Sequence, residues 1–272
     1  DHPELIEEML KSERFVLPPR ASFQALHAQR HAPGNGERVD KALHAIEDAN
    51  IGKLRDVFQD ISFNSTKLGD EQQKNDILRH LLEDFAKPEL NLRPSRIGQL
   101  DIIGNAYEFL IKNFASTSGK KAGEFYTPPE VSTLMARLMA PQEGDEICDP
   151  TCGSGSLLLR VAKEVKEVSA FYGQESNPTT YNLCRMNMIM HDVHYKKFDI
   201  KNDDTLERPQ HIDQRFEAIV ANPPFSAEWS ASPLFMSDDR YAPYGRLAPK
   251  GTADFAFVQH MIHQLADNGT MA

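Results

Sequence analysis

The stretch Ala218-Ile219-Val220-Ala221-Asn222-Pro223-Pro224-Phe225 joins a short apolar run to an abrupt polar and proline-rich end. Such a run is typical of a buried parallel strand. The two prolines prevent the chain from continuing as a helix or as a paired strand. Ligands of open α/β sheets bind at the carboxyl ends of strands. The stretch therefore predicts an α/β fold with a site around its last four residues.

The residues Asn222, Pro223, Pro224 and Phe225 suit the transfer of a methyl group to an exocyclic amine of a nucleobase. Such an amine is a poor nucleophile because its lone pair is delocalised into the ring. If the Asn222 side-chain oxygen and the Pro223 carbonyl each accept one N–H, the lone pair is freed and no general base is needed. Phe225 would stack on the extruded base. A proline turn with no catalytic role is the alternative.

From Glu146 onward, short apolar strands alternate with helical patterns, which predicts a doubly wound parallel sheet. The predicted strands cover residues 147–149, 170–175, 198–200 and 216–221. Gly153 and Gly155 follow the first strand, where glycines let the backbone approach a ligand closely. Asp149 ends the first strand. Glu175 ends the second, where an acid commonly binds ribose hydroxyls.

Two further features beyond these strands have open interpretations. Asp203 and Asp204 follow the third strand, where a carboxylate could accept a hydrogen bond from a bound adenine, and a solvated acidic turn is the alternative. The long connection over residues 226–251 mixes aromatic and basic side chains. It suits contact with nucleic acid, whereas a lid at an interface would have a similar composition.

The chain before the sheet has the spacing of helices. Asp70 can cap a helix whose apolar stripe includes Ile77, Leu78, Leu81, Leu82 and Phe85, which we expect in the core. The polar stretch that begins at Ser116 marks a domain boundary. We expect an all-helical domain over residues 1–115 and an α/β domain over residues 116–272 that is incomplete at its C terminus.

The composition limits the protein classes. A net charge of −10 argues against a chain that binds DNA unaided, because non-specific affinity comes mostly from basic contacts to phosphate. Three cysteines are too few for a disulfide framework, and no Cys and His spacing indicates a metal site. With neither a signal peptide nor an apolar span evident, we expect a cytoplasmic protein without membrane contact.

The order of the motifs resembles that of amino-group DNA methyltransferases. The motifs are Glu124-Phe125-Tyr126-Thr127-Pro128, Asp149-Pro150-Thr151-Cys152-Gly153-Ser154-Gly155, Gly173-Gln174-Glu175, Asp204-Thr205-Leu206 and Asn222-Pro223-Pro224-Phe225. With its helical N-terminal region and the run 181–188, the chain is similar to the methylation (M) subunit of type I restriction–modification systems. The resemblance implies a Rossmann-like, S-adenosylmethionine-dependent methyltransferase domain.

The resemblance also implies residue roles. Thr127 would lie at the cofactor carboxylate, Glu175 would hold the ribose, and Asp204 would bind the cofactor adenine, although Asp203 could exchange roles with Asp204. The target adenine would lie against residues 222–225. The implied cofactor-binding set is Glu124, Phe125, Tyr126, Thr127, Pro128, Pro129, Asp149, Thr151, Gly153, Ser154, Gly155, Ser156, Glu175, Ser176, Asp204, Thr205 and Asn222.

The implied activity is site-specific transfer of a methyl group from S-adenosylmethionine to adenine N6 in double-stranded DNA. The implied partners are a specificity (S) subunit and a second M subunit. The resemblance does not decide whether a restriction (R) subunit also joins them. Methylation of ribosomal RNA guanine or of a protein glutamine is an alternative, because those enzymes also use an Asn-Pro-Pro tip. A cofactor-binding assembly subunit with no activity of its own is another.

Overall fold

The computed structural model describes residues 15–59, 61–97, 101–117 and 127–272. The chain divides into two compact units, Asp1–Leu100 and Asp101–Ala272. This division lies earlier than the boundary predicted at residue 115.

The described part of the first unit contains helices and no strand, as the sequence predicts. Its helix α4 begins with a capping box, in which the Asp70 side chain accepts a bond from Gln73 N and the Gln73 side chain accepts one from Asp70 N. The helices are α1 (Phe23–Ala28), α2 (Asn35–Ala49), α3 (Ile51–Leu54), α4 (Glu71–Phe85) and α5 (Pro94–Ile97).

Only one side of the apolar stripe on α4 is buried. Leu78 and Leu82 are in the core, whereas Ile77, Leu81 and Phe85 remain about half exposed. The prediction that the whole stripe is core was therefore wrong for these three residues. The reason is that α1 and α2, which pack on α4, cover one face of the helix, while the stripe spans a wider arc.

The second unit is built on a five-stranded parallel sheet with the order β3-β2-β1-β4-β5. The chain builds the sheet outward from β1 in one direction through β2 and β3, and then returns to the other side of β1 through β4. The carboxyl ends of β1 and β4 therefore enclose the crevice in which doubly wound folds bind ligands. The strands are β1 (Glu146–Asp149), β2 (Ala170–Glu175), β3 (Phe198–Asn202), β4 (Phe216–Ile219) and β5 (Leu265–Met271).

Helices cover the sheet and close its core. Ile147 on β1, Leu158 on α8 and Met188 on α9 belong to one buried apolar cluster. No helix in the described ranges is long and apolar enough to cross a membrane. The helices of this unit are α6 (Ile102–Thr117), α7 (Pro129–Met139), α8 (Ser156–Ala162), α9 (Pro178–Met190) and α10 (Asp254–Gln264).

Helix α6 explains why the units divide early. It packs against α9, and the Asp101 carboxylate ahead of it is hydrogen-bonded to His191 at the end of α9. The helix therefore belongs to the sheet unit. Its apolar spacing is the same as that of a helix in a bundle, so the sequence pattern does not reveal which neighbour it packs against.

Candidate active site

A cavity of about 470 Å³ opens where the carboxyl ends of the strands meet. Its walls include apolar residues such as Leu206 and Phe257 as well as polar groups. The volume lies in the range of cofactor and small-molecule sites. Among the predicted cofactor-binding residues, those that line the cavity are Thr151, Glu175, Ser176, Asp204, Thr205 and Asn222.

Asp149, the last residue of β1, is buried beside this cavity with 2% of its surface exposed. Its Oδ1 accepts a hydrogen bond from Thr151 N at 2.9 Å and one from the Thr151 hydroxyl at 3.4 Å. Burial raises the pKa of Asp149 to about 7, against the opposing effect of these bonds. The carboxyl group therefore changes charge near neutral pH.

We expect Asp149→Asn to stabilise the protein increasingly as the pH rises. The pKa of Asp149 in the folded protein, about 7, lies above its ordinary value of 3.8. Between these two pH values the native state binds more protons than the unfolded state, so the wild-type protein loses stability as the pH rises. From about pH 5 to about pH 8 the advantage of the variant in unfolding free energy should grow by roughly 2–3 kcal/mol.

Urea unfolding at several pH values measures this difference. Asp239→Asn, the same substitution at an exposed position, is the matched control. A constant difference between Asp149→Asn and the wild type across this pH range would show that Asp149 does not titrate there.

Glu175, at the end of β2, joins the two loops that border the cavity. Its Oε2 accepts from Gly153 N at 3.1 Å and its Oε1 from Asn177 N at 2.8 Å. Burial raises the pKa of Glu175 above its usual value, and the bonds from these two amides oppose the rise. The side chain is thus held at the cavity wall by the backbone.

The glycine turn after β1 needs glycine for two reasons. Gly153 and Gly155 have φ angles of +53° and +77°, which other residues adopt at a cost. A Cβ on Gly155 would also lie 2.7 Å from the Cys184 sulfur. The turn therefore packs tightly against α9.

Ser154 and Ser156 point inward. Their hydroxyls lie 2.8 Å apart and both residues are buried, while Asn187 Nδ2 donates to the Ser154 carbonyl at 3.0 Å. Neither serine lines the cavity in this structure. Because the turn directs their hydroxyls to the core, no contact with the cavity supports the prediction that these serines bind the cofactor.

The two acids after β3 have different surroundings. Asp203 is bound by Arg208 at 2.7 Å and by Gln210 at 3.2 Å, and the Arg208 guanidinium lowers its pKa. Asp204 lines the cavity, and its Oδ1 accepts from Leu206 N at 2.9 Å. Of the two carboxylates that the sequence left interchangeable, Asp204 is the one next to the cavity.

Thr127 and Asn222 meet although they lie far apart in the sequence. Asn222 Nδ2 donates to the Thr127 hydroxyl at 3.4 Å, which orients the amide with its acceptor oxygen directed away from Thr127. Helix α7 begins at Pro129 with Pro128 as its N-cap, so Thr127 precedes the cap. The predicted residues Glu124, Phe125 and Tyr126 lie outside the described residues.

The Asn-Pro-Pro-Phe tip follows the carboxyl end of β4, an interior strand of the sheet. Asn222, Pro223 and Pro224 are half-buried, whereas the Phe225 side chain is 85% exposed. Phe225 follows Pro224, which lines the cavity, and its exposed ring has free surface for stacking. The tip can therefore offer an amide, a carbonyl and a stacking surface together.

Much of the aromatic and basic connection after the tip is buried. Trp229 and Tyr241 belong to a buried cluster, and the Arg240 side chain is only 1% exposed. These three buried residues therefore offer no surface for the nucleic-acid contact that was one of the two interpretations of this connection. Burial of aromatic rings against one another accounts for this, and Tyr244 and Arg246 remain exposed.

Arg240 supports the site in a way that the sequence did not indicate. Its guanidinium donates to the Thr205 carbonyl at 3.0 Å, to the Leu206 carbonyl at 2.9 Å and to Asp238 at 2.8 Å. These bonds hold the backbone of Thr205 and Leu206, and they thereby support the turn that contains Asp204. No sequence motif marks a buried arginine in a long connection. Among the described residues, no group of His, Cys, Asp or Glu could hold a metal ion.

Comparison with known proteins agrees with this geometry. A family model for N-6 DNA methylases matches residues 98–272, and a model for the HsdM N-terminal domain matches residues 2–85. The crystal structure of a type I restriction–modification system methyltransferase subunit from Streptococcus thermophilus is similar, with a TM-score of 0.87 and 37% identity. The match covers 99% of this chain and 58% of that one.

Two curated relatives are type I restriction enzyme methylase subunits. The MpnII subunit of Mycoplasma pneumoniae is 40% identical over 98% of this chain and 54% of its own length. The HindI subunit of Haemophilus influenzae is 36% identical over 88% of this chain and 54% of its own length. The chain thus spans about half the length of these relatives. Because the N-6 DNA methylase model accounts for more than half of its residues, the chain belongs to that family.

Proposed function

We propose that this chain is part of an enzyme that transfers a methyl group from S-adenosylmethionine to N6 of adenine in double-stranded DNA, as the methylation subunit of a type I restriction–modification complex. The observation that carries the proposal is the position of Asn222. This residue lines the cavity and starts the exposed tip, so one side chain borders both proposed ligands.

The cavity residues fit S-adenosylmethionine. A carboxylate at the end of β2, Glu175, suits the vicinal hydroxyls of a ribose, and Asp204 lies beyond β3 on the same wall. Leu206 and Phe257 supply apolar walls for a flat heterocycle. The nearby Asp149 carboxyl group adds negative charge when ionised, which complements a ligand that bears a sulfonium and an ammonium group.

The tip residues would activate and hold the acceptor base. When bound, S-adenosylmethionine supplies an electrophilic methyl group on its sulfonium sulfur. Asn222 Oδ1 and the Pro223 carbonyl would accept the two N–H groups of adenine N6, and Phe225 would stack on the base. Rigid positioning of the amine by these acceptors is the main contribution of the protein.

We expect Glu175→Ala to weaken S-adenosylmethionine binding by about 10- to 150-fold. Loss of a charge-assisted acceptor for the ribose costs about 1.5–3 kcal/mol. Calorimetry measures the affinity, and Glu143→Ala, which removes an exposed glutamate, is the control. If both variants bind the cofactor like the wild type, Glu175 does not contact it.

Sequence choice is expected to come from a partner. The chain carries a net charge of −10, and the part of it that the structure describes contains no recognition helix or basic arm, so it has little phosphate affinity of its own. A specificity (S) subunit and a second M subunit would supply positive charge and target recognition. A restriction (R) subunit is a further candidate partner. A complex that methylates chromosomal DNA would be located in the cytoplasm.

Gel-shift titrations at one salt concentration measure this prediction. The full-length subunit alone should not distinguish its target duplex from a random duplex, whereas the complex with the S subunit should prefer the target by at least about 10³-fold. Equal discrimination with and without the S subunit would instead indicate a self-contained methyltransferase.

The reaction itself is tested by the destination of the methyl group. The full-length subunit and its S subunit are incubated with cofactor labelled in the methyl group and with DNA, ribosomal RNA or cell protein. We expect label in N6-methyladenine of the DNA. Label in RNA guanine or protein glutamine would replace the proposal with those activities, and no transfer to any substrate would indicate an assembly subunit.

A further inference from the structure

A second cavity, of about 760 Å³, lies beside the Asn-Pro-Pro-Phe tip. Its walls come from the connection after the tip and from the first two turns of α10, and they include Tyr244, Arg246, Asp254, Phe255 and Gln259. Among the described residues, no side chain lines both this cavity and the cofactor cavity. The second cavity therefore requires its own explanation.

Backbone contacts attach this cavity to the tip. Ser226, the residue after Phe225, donates from its backbone N to Asp254 Oδ1 at 3.5 Å. Ala253 N donates to the Ala227 carbonyl at 2.9 Å. The start of α10, which forms one wall of the second cavity, is therefore bonded to the two residues that follow Phe225.

The side chains at the cavity suit a nucleotide. Phe255 is 71% exposed and Tyr244 is 44% exposed, so both rings have free surface for stacking, which contributes strongly to binding of unstacked bases. Arg246 is exposed in the same wall and can pair with a phosphate. Asp254, an acid in this wall, already accepts a bond from Ser226.

The wall also contains an acceptor without a donor. Gln259 Oε1 is buried and has no hydrogen-bond partner among the described residues. A buried acceptor of this kind carries a free-energy cost that an incoming donor removes. The edge of every nucleobase other than thymine carries an N–H group that an amide can read in duplex DNA, and an unpaired base exposes further N–H groups.

We propose that this flanking-base cavity binds the nucleotide next to the target adenine on the same DNA strand. The base would stack on Phe255 and Tyr244, and its phosphate would pair with Arg246. The inference rests on the proposed function, because the tip must hold a flipped base for its neighbour to reach the cavity. Continuity with Phe225 and the exposed arginine in an acidic chain favour a nucleotide over a segment of a partner protein.

The test compares Phe255→Ala with Ile262→Ala in the full-length subunit bound to its S subunit. Ile262 is an exposed apolar residue on the same helix and does not line the cavity. Equilibrium affinity for a target duplex is measured with S-adenosylhomocysteine bound, so the result does not depend on methyl transfer. We expect about tenfold weaker binding for Phe255→Ala and wild-type binding for Ile262→Ala.

Duplexes that lack one base beside the target adenine identify the contact. One duplex lacks the base on the 5′ side of the target adenine and another lacks the base on the 3′ side. On the duplex that lacks the base bound by the cavity, Phe255→Ala and the wild type should have equal affinity, because neither has a base to stack on. Equal affinities of Phe255→Ala and Ile262→Ala for the intact duplex would overturn the inference. So would weaker binding of Phe255→Ala to the S subunit without DNA, which would identify a protein interface.

The two proposals fail in different ways. If the complex binds DNA but transfers no methyl group to adenine, the proposed function is wrong while the affinity comparison can still be read. If methylation occurs and Phe255→Ala leaves DNA affinity unchanged, only the flanking-base cavity is wrong. The affinity of Phe255→Ala for S-adenosylmethionine should equal that of the wild type, because Phe255 lies outside the cofactor cavity.

Discussion

Asn222→Ala is expected to lower the rate of methyl transfer by on the order of 10³-fold while leaving the affinity for S-adenosylmethionine nearly unchanged. Preorganised hydrogen-bonding groups aimed at the reacting atom commonly contribute this much to catalysis. In the structure, Asn222 donates to Thr127, and that bond holds its oxygen on the opposite side of the amide. Alanine removes the acceptor without introducing bulk.

Single-turnover methylation by the full-length complex measures the rate, and calorimetry measures cofactor affinity. Asn268→Ala, an exposed asparagine on β5, is the control and should keep wild-type activity. Asn222→Asp keeps an acceptor oxygen and should retain more activity than Asn222→Ala. A large loss of cofactor affinity in Asn222→Ala, with the fold intact, would assign Asn222 to the cofactor and not to the adenine.

Arg240→Met is expected to reduce the free energy of unfolding by about 3 kcal/mol. The guanidinium is buried, and it donates to the Thr205 and Leu206 carbonyls and to Asp238. Methionine has similar length but no donors, so these acceptors lose their partner and Asp238 keeps an unpaired charge. Breaking a buried ion pair costs about 3–5 kcal/mol, and the lower end applies because the Asp238 side chain is 25% exposed.

Urea unfolding gives the stability change. Arg208→Met is a close control, because Arg208 also pairs with an acid beside the same turn but is 71% exposed, and its stability should stay near that of the wild type. Arg240→Met should also weaken S-adenosylmethionine binding, since Thr205 and Leu206 line the cavity. If both arginine variants unfold alike, Arg240 does not support the turn.

His260 is consistent with this role of Arg240. Its Nδ1 lies 3.3 Å from an Arg240 nitrogen, and burial, with the neighbouring guanidinium, lowers the pKa of His260 to about 3. The imidazole is therefore neutral at physiological pH and can accept a hydrogen bond from Arg240. A charged histidine at this distance would repel the guanidinium.

Local sequence was sufficient to predict four of the five strands and the polar ends of three of them. A buried parallel strand is typically rich in apolar residues, and ligands bind at the carboxyl ends of such strands, so Asp149, Glu175 and Asn222 could be placed from strand pattern alone. The structure confirms the parallel sheet. Glu175 and Asn222 line the cavity at its carboxyl ends, and Asp149 is buried. Strand β5 (Leu265–Met271) is not among the predicted strands, because its polar sequence lacks the apolar pattern by which the other strands were predicted.

Tertiary packing decided the features that depend on neighbours distant in sequence. Helical spacing shows which residues share a face but not which helix covers it, so the sequence could not assign α6 to the sheet unit or show that Phe85 stays exposed. Likewise, the same aromatic and basic composition suits a DNA surface or a packed core. Burial of Trp229, Arg240 and Tyr241, with Phe255 left exposed beside the tip, follows only from the three-dimensional arrangement, because burial is a property of contacts and not of residue type.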